Sequence, residues 1–442
     1  MSDGYGGGER LDDILNDVDI DSMMEAVAPP IPTEGRVYGL IDEIGVRIYQ
    51  SAEFPSWSFS LATGVALVGA MAAKWAIGPT ESSTSLYTTL VADTGSGKDH
   101  PLSFVEPVAL FAGVKVGASF YGSKQGLEAE MIGDGTMKEA IEGRPCWISP
   151  IDEYGDMVRQ ITQAGSNLDG LAIAMKELFS KTRPEQMYRT GQLKRQLAVV
   201  VDRPQFSIFS ATTPSALFGT MREGDILGGF LGRHWVVDSG PEVIIGRPAM
   251  KTAQALRELK ELVEGLMGWL RRDDYLYVGW ASPEAERVYV TLKHRMRQGG
   301  DAFQIALQRR VAEIAVRIAT ILAVGDRRVR VEVSDMRLGA RLALEGLAAM
   351  QRGIETFFSE VNRPAKLSGK IFEWMTASDV KGRRLKLPYS KISQKWMKQA
   401  ESPKVLDDAL RILVEQEKLV SVRANRTQGG GRSGDVYIVV GM

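Results

Sequence analysis

Residues 86–99 constrain this chain more than any other part of it. Leu86-Tyr87-Thr88-Thr89-Leu90-Val91-Ala92 is an apolar, partly β-branched run that reads as a buried strand. Asp93-Thr94-Gly95-Ser96-Gly97-Lys98-Asp99 follows, and then a helical pattern begins. The two glycines let the backbone wrap closely, so that consecutive N–H groups aim at one point, and Lys98 adds a full positive charge there. A buried strand that ends in such a loop requires a sheet around it. The rest of the chain to about Asp238 supplies one, with further strands expected at 114–118, 146–151, 205–210 and 234–237. Helices are expected after Lys98, after Ser123 and over 167–179. Such alternation predicts an α/β fold, a parallel sheet with helices on both faces.

The loop matches the phosphate-binding pattern G-x-x-x-x-G-K-[S/T] with two departures, Ala92 at the first glycine and Asp99 at the hydroxyl residue. The candidate nucleotide-binding residues are Asp93, Thr94, Gly95, Ser96, Gly97, Lys98, Asp99 and His100, and the expected cofactors are ATP and Mg2+. The hydroxyl normally sits on Mg2+. A carboxylate also binds Mg2+ but stands close to like-charged phosphates, so Asp99 implies slow hydrolysis or altered metal geometry.

Cys146-Trp147-Ile148-Ser149-Pro150-Ile151 is an apolar run ending in Asp152-Glu153. Beside a phosphate loop, Asp152 is placed to hold the metal and Glu153 to polarise an attacking water. Pro150 weakens a central-strand reading. Thr212 and Thr213 end the next strand and are candidates for positioning water or the γ-phosphate; Thr213 before Pro214 is equally a helix N-cap. Arg233 follows Gly228-Gly229-Phe230-Leu231-Gly232 and suits an arginine that reaches a neighbouring subunit's phosphate, or is an ordinary surface residue. Arg310, Glu313 and Arg317 share one helix face, as a γ-phosphate contact or an intrahelical ion-pair set.

Charge is unevenly spread. The net charge is −1, but residues 1–35 hold nine acids and one arginine, and residues 365–442 hold fifteen Lys/Arg against eight acids. The Gly-rich, acidic start ending in Ala28-Pro29-Pro30-Ile31-Pro32 reads as a disordered tail. It lacks a basic start followed by an apolar run, so no signal peptide is expected, and one cysteine rules out an internal disulfide, which fits a reducing cytoplasm. The apolar stretch 59–77 contains Lys74 and many small residues, which favours a buried helix over a membrane span.

At the other end, Arg363-Pro364 is expected to open a linker into a small domain, in which 367–376, 390–399 and 404–417 read as helices, and 419–422 with 436–440 as a hairpin. Three helices and a hairpin with a basic tip make a winged-helix pattern. Arg423, Arg426 and Arg432 are placed for phosphate, with Lys391, Lys395 and Lys398 nearby. Winged helices also dock proteins; the tip's arginines favour DNA. Between the acidic pair and the next strand lie Arg189, Lys194 and Arg195 with Lys181, Arg183 and Tyr188, which suit single-stranded DNA with base stacking, or a solvated loop.

With these parts in order, the chain resembles AAA+ ATPases, and more narrowly the phage and plasmid P-loop proteins encoded beside primases, which resemble the helicase halves of primase-helicases. The 310/313/317 spacing also resembles the sensor-2 helix of minichromosome-maintenance helicases. The sequence is thus expected to divide into an acidic tail (1–35), an N-terminal helical segment (36–80), a P-loop ATPase core (81–250), a helical lid (251–362) and a winged helix (366–442), and the resemblance covers about residues 37–440. It implies an ATP-dependent DNA helicase or translocase of a phage or mobile-element replication system, a homo-hexameric ring with a primase or replication initiator as partner and no membrane. A nucleotide-switched initiator or helicase loader with little turnover is the alternative, and a structural ring that uses ATP only to assemble is a third.

Overall fold

A computed structural model describes residues 39–132, 144–162, 169–183, 186–190, 199–219, 221, 226–239, 248–271, 275–299, 302–376, 386–400, 402–423 and 435–440. These divide into two compact units, one ending at Arg352 and one beginning at Gly353. The acidic tail expected at 1–35 lies outside the described residues.

The first unit opens with helix α1 (Leu40–Ser51), which buries Leu40, Ile41, Ile44 and Ile48 along one face. Helix α2 (Trp57–Ala72) is capped by Ser56, whose hydroxyl accepts from Phe59 N at 3.3 Å. Every residue of α2 except Ser58 is buried, and it packs against α1 on one side and the central sheet on another. The apolar run at 59–77 is thus a core helix followed by strand β1 (Ala76–Ile77). No described helix is long and apolar enough to cross a membrane.

Then come β2 (Tyr87–Val91), α3 (Asp99–Ser103), α4 (Val105–Ala112), β3 (Lys115–Val116), α5 (Lys124–Ile132), β4 (Cys146–Ile151), α6 (Tyr154–Thr162) and α7 (Asp169–Ser180). A small antiparallel hairpin, β5 (Met187–Arg189) and β6 (Val200–Asp202), precedes β7 (Gln205–Thr212), α8 (Pro214–Phe218) and β8 (His234–Asp238). The central sheet runs β3-β4-β7-β2-β8, with every pairing parallel. The mixed α/β class and the parallel sheet expected from the sequence are therefore present. Details differ. β3 is a short edge strand, and β7 continues past Ser210 to Thr212. Pro150 sits within β4 without cost: Ile148 O accepts from Gly117 N, so alternate residues face β3, and β3 has ended before Pro150.

The helical part of the unit comprises α9 (Thr252–Leu270), α10 (Pro283–Arg295), α11 (Ala302–Gln308), α12 (Val311–Gly325) and α13 (Val333–Gly353). Short strands interrupt it: β9 (Leu276–Tyr277) pairs with β1, and β10 (Gly279–Trp280) with β11 (Arg330–Val331). Of α12 only Glu313 is not fully buried, and α12 packs on α2; α9 packs on α1 and α4. The helices expected as a lid share the sheet's compact unit.

His234, 1% exposed, sits at the start of β8. Its Nδ1 lies 3.1 Å from Phe230 O and its Nε2 2.7 Å from the Tyr154 hydroxyl, so the neutral ring donates through Nδ1 and accepts at Nε2. Burial pulls its pKa down to about 4. The unfolded ring titrates near 6.5, so between these values the unfolded chain binds the extra proton. Stability is therefore expected to fall by up to about 3 kcal/mol as pH drops through that window. Urea midpoints measured between pH 7 and 5 should show this slope in the wild type and a shallower one in His234→Gln.

The second unit begins with a π-helical turn (Ile354–Phe358) and α14 (Ser359–Thr376). β12 (Lys386–Pro388), α15 (Tyr389–Ala400), α16 (Pro403–Glu415), β13 (Leu419–Arg423) and β14 (Asp435–Val439) follow, and the antiparallel sheet order is β12-β14-β13. Ile371, Ile392, Leu406, Leu410 and Leu413 form its core. The linker expected after Pro364 is instead helical. Leu367, Ile371 and Met375 bury one face of α14, and that packing outweighs the single hydrogen bond a proline forfeits.

Candidate functional site

Because the central strands are parallel, their carboxyl ends share one edge, where α/β sheets hold ligands. Register fixes what meets there. Ile151 is level with Ser210, and Val91 is level with both Thr212 and Asp238. Asp152-Glu153, Thr212-Thr213 and the loop from Ala92 thus line up, with β7 between the acids and the loop. Two strand spacings separate β4 from β2, about 10 Å. Ala92 N donates to Thr212 O at 3.2 Å, which ties the loop's start to β7.

Gly95 (φ 84°) and Gly97 (φ 76°) are left-handed, as an inward-wrapping loop requires. Asp93, Thr94 and Gly95 are exposed, and a Cβ on Gly95 would meet nothing within 4 Å, so that side of the loop is open. On the other side a Cβ on Gly97 would fall 2.6 Å from Phe54 O, in the α1–α2 connection. Gly97→Ala is expected to cost about 1–3 kcal/mol through that clash and its backbone conformation, read as a lower urea midpoint. His100 lies against the same support. Its Nε2 is 2.9 Å from Ser51 Oγ, its ring meets Phe104 edge-on, and burial lowers its pKa. Sequence reasoning missed Ser51 and Phe54, since nothing local marks contacts that distant in the chain.

Lys98 ends the loop. It is only 5% exposed, and among the described residues it has no carboxylate partner. A cation held this deep in the fold without a counter-charge is costly. Asp99 beside it is exposed.

Asp152 and Glu153 are both exposed at the end of β4. Glu153 has φ 49°, a left-handed conformation that costs a side-chain-bearing residue about 1–3 kcal/mol and is concentrated at functional positions. Asp152 Oδ1 accepts from Glu153 N at 2.9 Å, leaving its second oxygen and the whole Glu153 carboxylate to the solvent side. Thr212 is buried, and its Oγ1 accepts from Gly155 N at 3.1 Å, fastening β7 to the start of α6. Thr213 caps α8, accepting from Ala216 N at 3.3 Å with Pro214 next. Thr212 thus braces the acidic turn, and Thr213 makes the helix cap that the sequence offered as its alternative role. Among the described residues no cluster of three His, Cys, Asp or Glu side chains is arranged for a metal.

Arg233 and Arg310 stand elsewhere. Arg233 ends a short 3-10 turn (Leu231–Arg233) just before β8, at the amino edge of the sheet, and its Nη1 donates to Gly229 O. Burial, with the Arg310 charge next, pulls its pKa down to about 10. Arg310 precedes α12 and pairs with Glu313 at 2.5 Å, and Glu313 pairs with the fully buried Arg317 at 2.8 Å. Arg317 donates to Ser85 O at 2.7 Å and Phe179 O at 2.8 Å. Ser85 lies just before the foot of β2, whose five residues put about 16 Å of strand between it and the loop. The intrahelical ion-pair set is thus present, and it gathers with Arg233 on the side away from this chain's own loop.

Of the residues considered for nucleic acid, Arg189 is exposed on β5. Tyr188 is not available for stacking: its ring is buried and its hydroxyl donates to Glu128 at 2.9 Å, because alternation along the strand turns it inward. Lys194 and Arg195 lie outside the described residues, as do Arg426 and Arg432. Arg423 ends β13. In the second unit Lys395 lies over Trp374 at 4.7 Å. The exposed surface of α16 is mixed, with Lys404 and Arg411 beside Asp407 and Glu415.

No protein-family model matches this chain, and no curated protein matches it either.

Proposed function

We propose that the chain is an ATP-dependent DNA helicase or translocase that works as a ring, its nucleotide held at the carboxyl edge of the central sheet. The observation that carries this reading is Lys98, buried and without an acidic partner among the described residues, beside a loop that opens outward at Gly95. A β/γ-phosphate would supply the missing charge. The adjoining groups are of the required kinds. Glu153 is a free carboxylate on a strained backbone, suited to take a proton from water. Asp99 and Asp152 would hold Mg2+, which when bound neutralises phosphate charge. Phe54, an exposed aromatic next to Gly97, offers a face to the base. Arg233 and Arg310 are too far from their own loop to serve it, and they suit the phosphates of the neighbouring copy. That arrangement makes an oligomer, proposed as a homo-hexamer, part of the catalytic design.

The second unit supports a winged helix: its element order is helix, strand, helix, helix, hairpin, with the first short strand added to the hairpin. The mixed charge of α16 favours this module docking a protein, a primase or initiator, over reading a DNA groove with that helix. DNA then falls to the basic β5–β6 hairpin. Asp99 supports one further reading, a nucleotide-switched initiator or loader.

Steady-state ATP hydrolysis, with and without single-stranded DNA, tests the proposal. Stimulation by DNA is expected. Nucleotide binding with no hydrolysis under either condition would replace the motor with the switch.

A further inference from the structure

At the amino ends of β3 and β4, away from the edge that bears Lys98, lies a cavity of about 420 Å³. Its floor is apolar, and Met71, Met131, Trp147 and Met267 there are each at most 5% exposed. Among the described residues its rim is cationic, with Lys74, Lys115, Arg144 and Arg271 against a single acid, Glu130. Two of these charges are already answered. Lys115 pairs with Glu130 at 2.9 Å, and Arg144 reaches Asp202 at 3.8 Å while lying 3.5 Å over the Tyr275 ring. The other two are not. Lys74 lies 5.3 Å over the Trp75 ring, and Arg271 donates to Ala112 O at 3.3 Å; among the described residues neither has a carboxylate within ion-pair distance.

Two unanswered cations above a floor of methionines suit one chemistry. Polarisable thioethers pack on a flat apolar body, and the rim meets a negative group at its end. We propose that this cavity is a second binding site, for a small aromatic anion whose ring system lies on the Met71, Met131 and Met267 floor and whose carboxylate, sulfonate or phosphate meets Lys74 and Arg271. The volume accommodates a bicyclic aromatic with its charged group, within the ordinary range for small-molecule sites. This site stands independently of the nucleotide reading.

The cavity contains its own reporter. Cys146 is the chain's single cysteine, half-buried in the wall. Burial pushes its thiol up to about 12, so modification by an alkyl methanethiosulfonate is slow enough to time. The full chain is treated with that reagent in the presence of anilinonaphthalene sulfonate, of the neutral N-phenylnaphthylamine, or of inorganic phosphate. The anionic aromatic is expected to protect Cys146 saturably. The neutral one should require about tenfold more, and phosphate alone should give no protection at millimolar concentration. In Lys74→Gln with Arg271→Gln, protection by the anion weakens about tenfold and protection by the neutral probe does not change, showing that the cavity is still formed. Lys74 itself lowers the thiol's pKa, so rates are compared with and without probe within each variant. Equal protection by the neutral probe, protection by phosphate alone, no protection by the anion, or an unweakened double variant would each overturn the proposal. Should the double variant lose the neutral probe too, Lys74→Arg with Arg271→Lys, which keeps both charges, has to retain protection by the anion; its failure also overturns the proposal.

Discussion

Glu153→Gln is expected to leave ATP bound while cutting steady-state hydrolysis by roughly 10²–10⁴-fold, the usual contribution of a positioned general base. The substitution is nearly isosteric, and the Glu153 carboxylate makes no ion pair among the described residues, so little else should change. The backbone N–H of residue 153 still donates to Asp152, and the left-handed turn is as available to glutamine as to glutamate. Lys98→Ala separates binding from chemistry. It removes the cation that would meet the phosphates, so a fluorescent ATP analogue should bind weakly or not at all, whereas Glu153→Gln should bind it as tightly as the wild type. If Glu153→Gln hydrolyses ATP at the wild-type rate, the acidic turn is not the base and the carboxyl edge has another use. If neither wild type nor variant turns over but both bind, the switch reading stands, and Asp99 in place of a hydroxyl is the residue to change first.

Mixing two inactive variants should restore activity. Arg233→Ala alone is expected to lose about 10³-fold in turnover, the scale of an arginine supplied to a neighbouring phosphate, while keeping its nucleotide. Lys98→Ala alone should be equally inactive for the opposite reason. In mixed rings some interfaces pair an intact loop from one copy with an intact Arg233 from the next, and those interfaces should hydrolyse ATP. The basis is geometric. Arg233 precedes β8 and the loop follows β2, at opposite ends of parallel neighbours, so the two cannot meet within one chain. Arg310→Ala can be mixed in the same way, though its ion pair with Glu313 also steadies Arg317, and some of its effect will be loss of stability. No recovery on mixing, with assembly intact by light scattering, would remove the shared site.

Much of the fold was legible because the strands are short, largely apolar or β-branched runs bounded by Gly, Pro and acidic residues, and both the loop at 92–99 and the turn at 152–153 follow directly from those runs. The strand order was not. That β7 separates β4 from β2 is a fact of register between distant segments, and it is this order that sets Thr212 between the acids and the loop. Pro364 read as a break because local propensity says so, and the buried face of α14 overrode it. Tyr188 read as a stacking platform because composition cannot say which side of a two-stranded hairpin faces inward. Phe54 and Ser51 carried no signal, since their importance lies in touching Gly97 and His100 across the fold. The meeting of Arg233 with Arg310 is likewise a product of packing.

Arg317 has a further consequence. One fully buried guanidinium holds the carbonyl before β2, the carbonyl near the end of α7 and a carboxylate on α12. Neither carbonyl can let go without leaving a buried polar group unpaired. The foot of the strand that bears the loop, the helix that leads toward the basic hairpin and the helix that begins at Arg310 therefore open and close together, as one cooperative unit of local unfolding.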